Sequence, residues 1–356
     1  MGAPMLQGFR SVRGHEAAIG LLRRSIAQRR TASAYLFAGP QGVGKDRVAH
    51  ALAQTMNCTA RANPSDDACG ECQNCRRIAL GQFVDLLVVK REFRDTVSAR
   101  ERESEAGARP EDIDEKKLRQ EIVVDQMKPI MESVAFRPHE GGTRWIIIRE
   151  ADRLHKNAAN KLLKTLEEPP AETHFVLLSH RSSALLPTIR SRCQTVNFGL
   201  LDEPDVHAVL AGLELTPEHI RELLPLAEGS VGRALIYRDP EHLAARKKLL
   251  EEILATLRVK EVAVGGFVEL ATRYKDPTEK KDQFGRGELE ETLALLYRHL
   301  RNEALAAAGK SARTSLVHAA RAEIVRETME LLDGATSFNV GMQLQNMLVR
   351  LREVRP

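Results

Sequence analysis

The stretch Gly39-Pro-Gln-Gly-Val-Gly-Lys45 constrains this chain more than any other, because of what stands on either side of it. Before it runs Ala34-Tyr-Leu-Phe-Ala38, a short apolar segment expected to be a buried strand. After it, Arg47-Val-Ala-His-Ala-Leu-Ala-Gln54 sets apolar residues at helical spacing. Strand, glycine loop and helix open a parallel α/β unit. Glycines so placed let backbone N–H groups converge on phosphate oxygens at a helix N-terminus, and the lysine adds charge at the terminal phosphates. Gly39, Gly42, Gly44 and Lys45 are therefore the candidate phosphate-binding residues.

Three further apolar runs, Asp85-Leu-Leu-Val-Val89, Trp145-Ile-Ile-Ile148 and Phe175-Val-Leu-Leu178, fit central parallel strands covered on both faces. Between the last two, Leu154, Ala158, Leu162 and Leu166 mark one face of a helix that Pro169 and Pro170 stop. Residues 91–121 differ: 18 of 31 are charged, with both signs mixed, so a surface excursion is expected there. Beyond Leu201 strand signals vanish. Helical stripes follow at Leu289, Leu293, Leu296 and Leu300, and at Ile324, Leu331 and Leu332, with Asp276 to Gly287 as the longest loop.

The loop departs from an active one in two places. Asp46 stands where the pattern needs Ser or Thr, whose hydroxyl ligates magnesium. After the Trp145–Ile148 run, where a hydrolysing enzyme carries an Asp for the metal and a Glu for the attacking water, the chain has Arg149-Glu150. Glu150 survives, but a cation takes the place of the metal's carboxylate. Together the two changes leave magnesium without its usual protein ligands, so hydrolysis here is not expected.

Four of the five cysteines are clustered, as Cys58, Cys69, Cys72 and Cys75, with Cys193 left over. Four thiolates at this spacing suit tetrahedral zinc in a closed, structural site. An iron–sulfur cluster is the competing metal reading, since spacing alone does not separate the two. The module begins where the loop's helix ends, so it is an insertion in the α/β domain.

Bulk properties narrow the function classes. A net charge of +4 permits contact with nucleic acid without demanding it, and 4% aromatic residues argue against a base-stacking surface. This weakens a reading as a free-standing zinc-dependent DNA-binding module. No apolar run approaches the roughly 20 residues needed to span a bilayer. Met1 to Arg10 shows no secretory signal, so a cytoplasmic protein without membrane contact is expected.

Three stretches carry a family resemblance: Asn160-Lys-Leu-Leu-Lys-Thr-Leu-Glu-Glu-Pro-Pro170, Leu186-Pro-Thr-Ile-Arg-Ser-Arg-Cys193 and Gly229-Ser-Val-Gly-Arg-Ala-Leu235. With Phe9-x-x-Val12-x-Gly14, they make the chain similar to the clamp-loader branch of the AAA+ family from about Phe9 to Arg238. The resemblance implies that Ser191-Arg192-Cys193 is an arginine-finger motif, with Arg192 catalytic in trans on a neighbour's ATP. Arg190, two residues earlier, is the alternative. It also implies that Arg233 is a sensor in a small helical lid and that Ser179-His180 holds the other sensor position; the apolar stretch Ile122 to Val134, before Gly141-Gly142, resembles the family's non-hydrolysing members.

The fold implied is an α/β AAA+ P-loop core, a parallel sheet with helices on both faces, with a zinc-module insertion, a helical lid and an all-α C-terminal collar. The expected boundaries are 1–198 for the core (zinc module 58–75, charged insertion 91–121), 199–240 for the lid and 241–356 for the collar. Family partners would be gamma/tau and delta subunits in a hetero-pentamer-like ring, with sliding clamp and primer-template DNA reached through the complex. Structural zinc is the implied cofactor, and ATP or ADP would bind weakly at Gly39, Gly42, Gly44, Lys45, Glu150 and Arg233. Zinc also occurs in the gamma/tau motor, so the degenerate site is what favours a non-hydrolysing subunit over an active motor.

Overall fold

The computed structural model describes residues 6–93, 119, 121–140, 142–213, 215–258, 286–334 and 340–354. Most of the charged stretch 91–121 and nearly all of Asp276 to Gly287 lie outside the described residues, although Arg286 and Gly287 open a helix. The chain divides into two units, Met1–Arg238 and Asp239–Pro356.

The first unit is built on five parallel strands: β1 (Ala34–Ala38), β2 (Leu86–Val89), β3 (Arg144–Ile148), β4 (Thr173–Ser179) and β5 (Gln194–Asn197), in the order β2-β3-β4-β1-β5. Strand β5 was not foreseen. Only Val196 of its four residues is buried, and Gln-Thr-Val-Asn lacks the continuous apolar run that announced the others. All five residues of β1 and all five of β3 are buried.

Alternation along the strands separates two cores. Tyr35, Phe37, Trp145, Ile147, Val176 and Leu178 pack with Phe9 and with helices α1 (Glu16–Ala27) and α2 (Lys45–Asn57) on one face. Leu36, Ile146, Ile148, Phe175 and Leu177 pack on the other face. Their partners there include Met127 of α4 (Val124–Ser133) and Ala158, Leu162 and Leu166 of α5 (Lys156–Glu167). Helix α3 (Gln73–Ala79) closes the cysteine segment. Each large apolar side chain buried this way contributes about 1.5–3 kcal/mol, so the sheet is the rigid part of the unit.

Among the described residues, the charged pair of Arg144 and Asp85 is wholly interior. Arg144 opens β3 and donates to Asp85 Oδ1 at 2.9 and 3.1 Å. It also donates to the carbonyls of Ser133, Phe136 and Arg137 just past α4. Asp85 in turn accepts from the Glu140 amide. The pair is satisfied on every side, as a buried ion pair must be.

After α6 (Pro187–Arg190) and β5 the chain forms three short helices, α7 (Glu203–Ala211), α8 (Pro217–Ala227) and α9 (Val231–Ile236). Asp202, Thr216 and Ser230 cap them, each side chain accepting from the amide three residues on.

The second unit contains α10 (Pro240–Arg258), α11 (Arg286–Ala308), α12 (Ala312–Gly334) and α13 (Val340–Glu353). Its core gathers Ile253, Leu293, Leu296, Leu300, Ile324, Val325, Leu332, Leu344, Leu348 and Leu351. Leu331, expected on that stripe, is 49% exposed. Leu332 and Val325 are seven residues apart and already close the face, so Leu331 turns outward.

Candidate functional site

The loop between β1 and α2 leaves the carboxyl end of β1, one strand in from the β5 edge, where the chain departs for the opposite edge strand β2. That is the usual place for a ligand in such sheets. Gly39, Gly42 and Gly44 have φ of 153°, 74° and 105°. At Gly42 a Cβ would stand 2.5 Å from Ser230 Oγ and 2.8 Å from Gly232 Cα, so only glycine fits between loop and helix α9. The two are also hydrogen-bonded: Gly232 N donates to Gly42 O at 2.9 Å, and Ser230 Oγ to Gln41 O at 2.8 Å. Gly14 makes a similar close approach, its missing Cβ leaving room for Leu201 and Asp205.

Lys45 is buried and donates to the carbonyls of Gly39 and Pro40, both at 2.5 Å. Burial pulls its pKa down to about 8, and the nearby Asp152 carboxylate pushes the other way. The Asp152 side chain is itself fully buried, with His180 Nδ1 3.3 Å from Oδ2 and the His180 amide 3.2 Å from Oδ1. Burial lowers the His180 pKa although Asp152 opposes it. Ser179 is buried, its Oγ accepting from the Arg181 amide and its carbonyl from the Gly39 amide. Arg233 forms an ion pair with Glu228 at the start of α9.

The two departures from an active loop turn out to be one feature. Arg149 Nε donates to Asp46 Oδ1 at 2.7 Å and Nη2 to Oδ2 at 2.8 Å, a fork across 103 positions of sequence. Burial works against the Asp46 charge, yet His50 and Arg149 hold its carboxyl below the usual range. A second fork lies beside it. Arg91 donates from Nε and Nη2 to the two oxygens of Glu150, at 2.7 and 2.8 Å. Glu150 has left-handed φ and ψ of 48° and 48°, which turns its side chain to this partner.

Arg91 was missed by reasoning from sequence, but a signal existed. Strands β2 and β3 are parallel neighbours with Val89 opposite Ile148, so two residues further on Arg91 comes level with Glu150. The reciprocal charges at Asp46 and Arg149 were legible as two defects, not as partners.

Arg192 is on the surface. Its Nη2 is 2.7 Å from Glu167 Oε1 and its Nη1 donates to Thr188 O at 3.0 Å. Arg190 is exposed, while Ile189 and Cys193 are buried, anchoring the segment between them. Burial lifts the Cys193 thiol to about 11, which fits an inert core residue.

The clustered cysteines converge. The Sγ atoms of Cys58, Cys69, Cys72 and Cys75 all lie within 4.8 Å of one another. Cys69 and Cys75 are 3.9 Å apart and Cys72 and Cys58 4.0 Å. Tetrahedral zinc with Zn–S bonds of about 2.3 Å needs sulfurs about 3.8 Å apart, so the donor set fits such an ion. Backbone amides of Cys69, Glu71, Cys72 and Cys75 point at these sulfurs, which stabilises thiolate charge. The cluster is tied to the sheet domain by Arg10, which donates to Ala68 O and Cys69 O, and by buried Gln54, which donates to Cys75 O.

A family model described as DNA polymerase III, delta subunit, matches residues 14–202. The chain belongs to that family. Among its relatives, subunit delta' of Pseudomonas aeruginosa is 33% identical over 236 residues, which is 63% of this chain and 63% of that one. Subunit delta' of Bacillus subtilis is 32% identical over 232 residues, covering 65% of this chain and 61% of its own length. Subunit tau of Escherichia coli is 32% identical over 240 residues, 65% of this chain but only 33% of the relative. The matches thus span a third of the tau protein and under two thirds of the delta' proteins. Nothing in the family's name accounts for the two arginine forks.

Proposed function

We propose that this chain is a delta-prime-type subunit of a bacterial DNA polymerase III clamp loader, an AAA+ protein that does not hydrolyse ATP itself. The observation that carries the reading is the pair of forks. Asp46 and Arg149 occupy each other, Arg91 occupies Glu150, and so the groups that would bind magnesium and orient water are engaged. A complete catalytic constellation needs both. The similarity to proteins named delta' supports the same reading. The tau relatives alone would fit a motor, but a motor needs a hydroxyl at position 46, a carboxylate at position 149 and Glu150 unclaimed.

In this reading Arg192 is a catalytic arginine finger presented to ATP on an adjacent gamma/tau subunit. Residues 199–240 are a lid and residues 241–356 a collar that joins delta and gamma/tau in a ring. The ring brings sliding clamp and primer-template DNA, and the whole works in the cytoplasm during DNA replication. Cys58, Cys69, Cys72 and Cys75 hold a structural zinc that keeps the insertion folded. Lys45, the loop glycines and Arg233 retain at most weak affinity for ATP or ADP.

The test is turnover by the purified chain with ATP and magnesium, beside a Lys45→Ala control, and then by the complex assembled with gamma/tau and delta subunits. The chain alone should match the control, and the complex should form and turn over. Turnover abolished by Lys45→Ala in the isolated chain would overturn the reading.

A further inference from the structure

A divalent cation, which phosphate loops ordinarily use, does not fit this site. Both oxygens of Asp46 are taken by Arg149, and both oxygens of Glu150 by Arg91. A metal ion would have to break a two-point, charge-assisted fork and then sit beside a guanidinium of like charge. One buried carboxylate, Asp152, also faces Lys45, with His180 Nδ1 3.3 Å from its Oδ2; beyond it, what the site offers is donors. Arg149 has five N–H groups and its fork uses two, and Lys45 has three and its loop contacts use two. The forks also cancel the charges of Asp46 and Glu150, so neither carboxylate repels an anion.

We propose that Arg149, held in place by Asp46, takes the part of the metal, so that this loop binds a polyphosphate free of magnesium. The ligand class is an uncomplexed pyrophosphate group, as inorganic pyrophosphate or as the diphosphate end of a nucleotide. Magnesium then competes with binding, because a complexed phosphate brings its own cation against Arg149. The same fork ties the first turn of α2 to the end of β3, so loop and sheet stay in one arrangement with or without ligand. This inference rests on the non-hydrolysing reading and specifies what its loop recognises.

The experiment is calorimetric titration of the full chain with inorganic pyrophosphate and with ADP, first in magnesium-free buffer and then with magnesium added. No chelator is used, since it would also attack a metal held by the four thiolates, and metal content is measured before and after. Binding should be seen without magnesium and should weaken about tenfold when magnesium is present in excess, the size of one like-charge contact at close range. Arg149→Ala should lose about tenfold in magnesium-free buffer, and Arg149→Lys should keep part of it. Asp46→Thr with Arg149→Asp should reverse the metal dependence, binding more tightly with magnesium. Because Arg149→Ala leaves Asp46 with only His50, 3.5 Å away, Asp46→Asn with Arg149→Gln serves as the folded control, checked by Trp145 fluorescence. It should lose magnesium-free binding as well. Magnesium-enhanced binding by the native chain, or no binding without magnesium, overturns the proposal. ATP turnover measured on the same sample separates the two readings: turnover defeats the non-hydrolysing reading, whereas magnesium-enhanced binding without turnover defeats this one alone.

Discussion

Arg91 and Glu150 meet across the ends of two adjacent parallel strands, joined at both carboxylate oxygens. Arg91 is almost wholly buried and Glu150 about a quarter exposed. The carboxylate that would polarise water in an active relative is thus fixed by a partner that solvent does not easily displace. Its consequence for repair of the site is specific. Restoring the magnesium ligands with Asp46→Thr and Arg149→Asp should improve metal-dependent nucleotide binding without producing turnover. Turnover should first appear when Arg91 is also replaced by Ala. Multiple-turnover phosphate release from the double and triple variants checks this, and turnover in the double variant would show that Arg91 does not restrain Glu150.

Arg91→Ala alone should also cost stability, because it leaves a half-buried carboxylate unpaired. An unsatisfied charged group of this kind costs about 1–3 kcal/mol or somewhat more. Removing both partners, Arg91→Leu with Glu150→Leu, should cost less than the single change. Urea unfolding followed by Trp145 fluorescence gives the comparison, with Trp145 the one tryptophan in the chain.

Trp145 also reports on pH. His174 stacks on it with ring centroids 4.5 Å apart and planes 18° apart, and its Nδ1 lies 2.8 Å from Ala32 O. Burial lowers the His174 pKa, and the Ala32 carbonyl and Glu172 offset this only in part. The folded state therefore holds the neutral ring, while the unfolded chain takes up a proton near pH 6.5. Stability from this site is fully present above that pH and is lost as pH falls toward the lower folded value. The slope is at most about 1.4 kcal/mol per pH unit for one group. His180, also lowered by burial, acts in the same direction. His174→Gln should flatten part of the slope below pH 6.5 and leave stability at pH 8 nearly unchanged apart from the lost stacking. An unaltered slope in that variant would assign the titration elsewhere.

The sheet and loop were legible because β1, β3 and β4 are apolar on both faces and the glycines are spaced for one backbone shape. Those three strands and the helix before Pro169 could be found that way; the run Asp85–Val89 was also recognisable, but β2 is an edge strand with Val88 exposed and not the central, doubly covered strand expected. Strand β5 could not, since Gln194, Thr195 and Asn197 face outward and carry no pattern. The thiol cluster was legible because its four cysteines lie within one short segment. The forks were hidden by distance. Asp46 and Arg149 are brought together only when β3 lies close enough to β1, with β4 between them, for its end to reach α2. Sequence shows a charge reversal at each end of such a pair, but only the strand order makes them neighbours.

The cysteine cluster yields a prediction that does not depend on nucleotide. Purified chain should contain about one zinc, by the four-thiolate argument, and Cys72→Ser should lose it. The module is tied to α2 through Gln54 and to the N-terminal segment through Arg10, so metal loss should loosen residues 58–75 first. Limited proteolysis should then cut within that segment while Trp145 fluorescence, which reports on the sheet core, stays native. Iron with sulfide in the purified protein would instead assign the cluster to iron–sulfur chemistry.

Arg192 supplies the last test, and its surroundings set the terms. Nη1 is held by Thr188 O and Nη2 by Glu167, both partly solvated, and the segment is anchored below by Ile189 and Cys193. An exposed pair of this kind contributes roughly 0–1 kcal/mol, so in the proposed finger role giving up Glu167 for a phosphate would cost little. Arg192→Ala should therefore leave folding, metal content and assembly of the clamp-loader complex intact. Fingers of this kind give about 10³–10⁵ in rate at the site they serve. In a ring with several sites the loss of total ATP turnover should be partial, and it should be seen most clearly in DNA- and clamp-stimulated turnover. Arg192→Lys should recover little, because a point charge does not reproduce the planar fork. On the proposed role, Glu167→Ala should give a smaller defect than Arg192→Ala, since it frees Arg192 without removing it. Full stimulated turnover by a verified, stoichiometric complex carrying Arg192→Ala would remove Arg192 from the mechanism. A defect appearing instead with Arg190→Ala would move the finger two residues earlier, to the exposed end of α6.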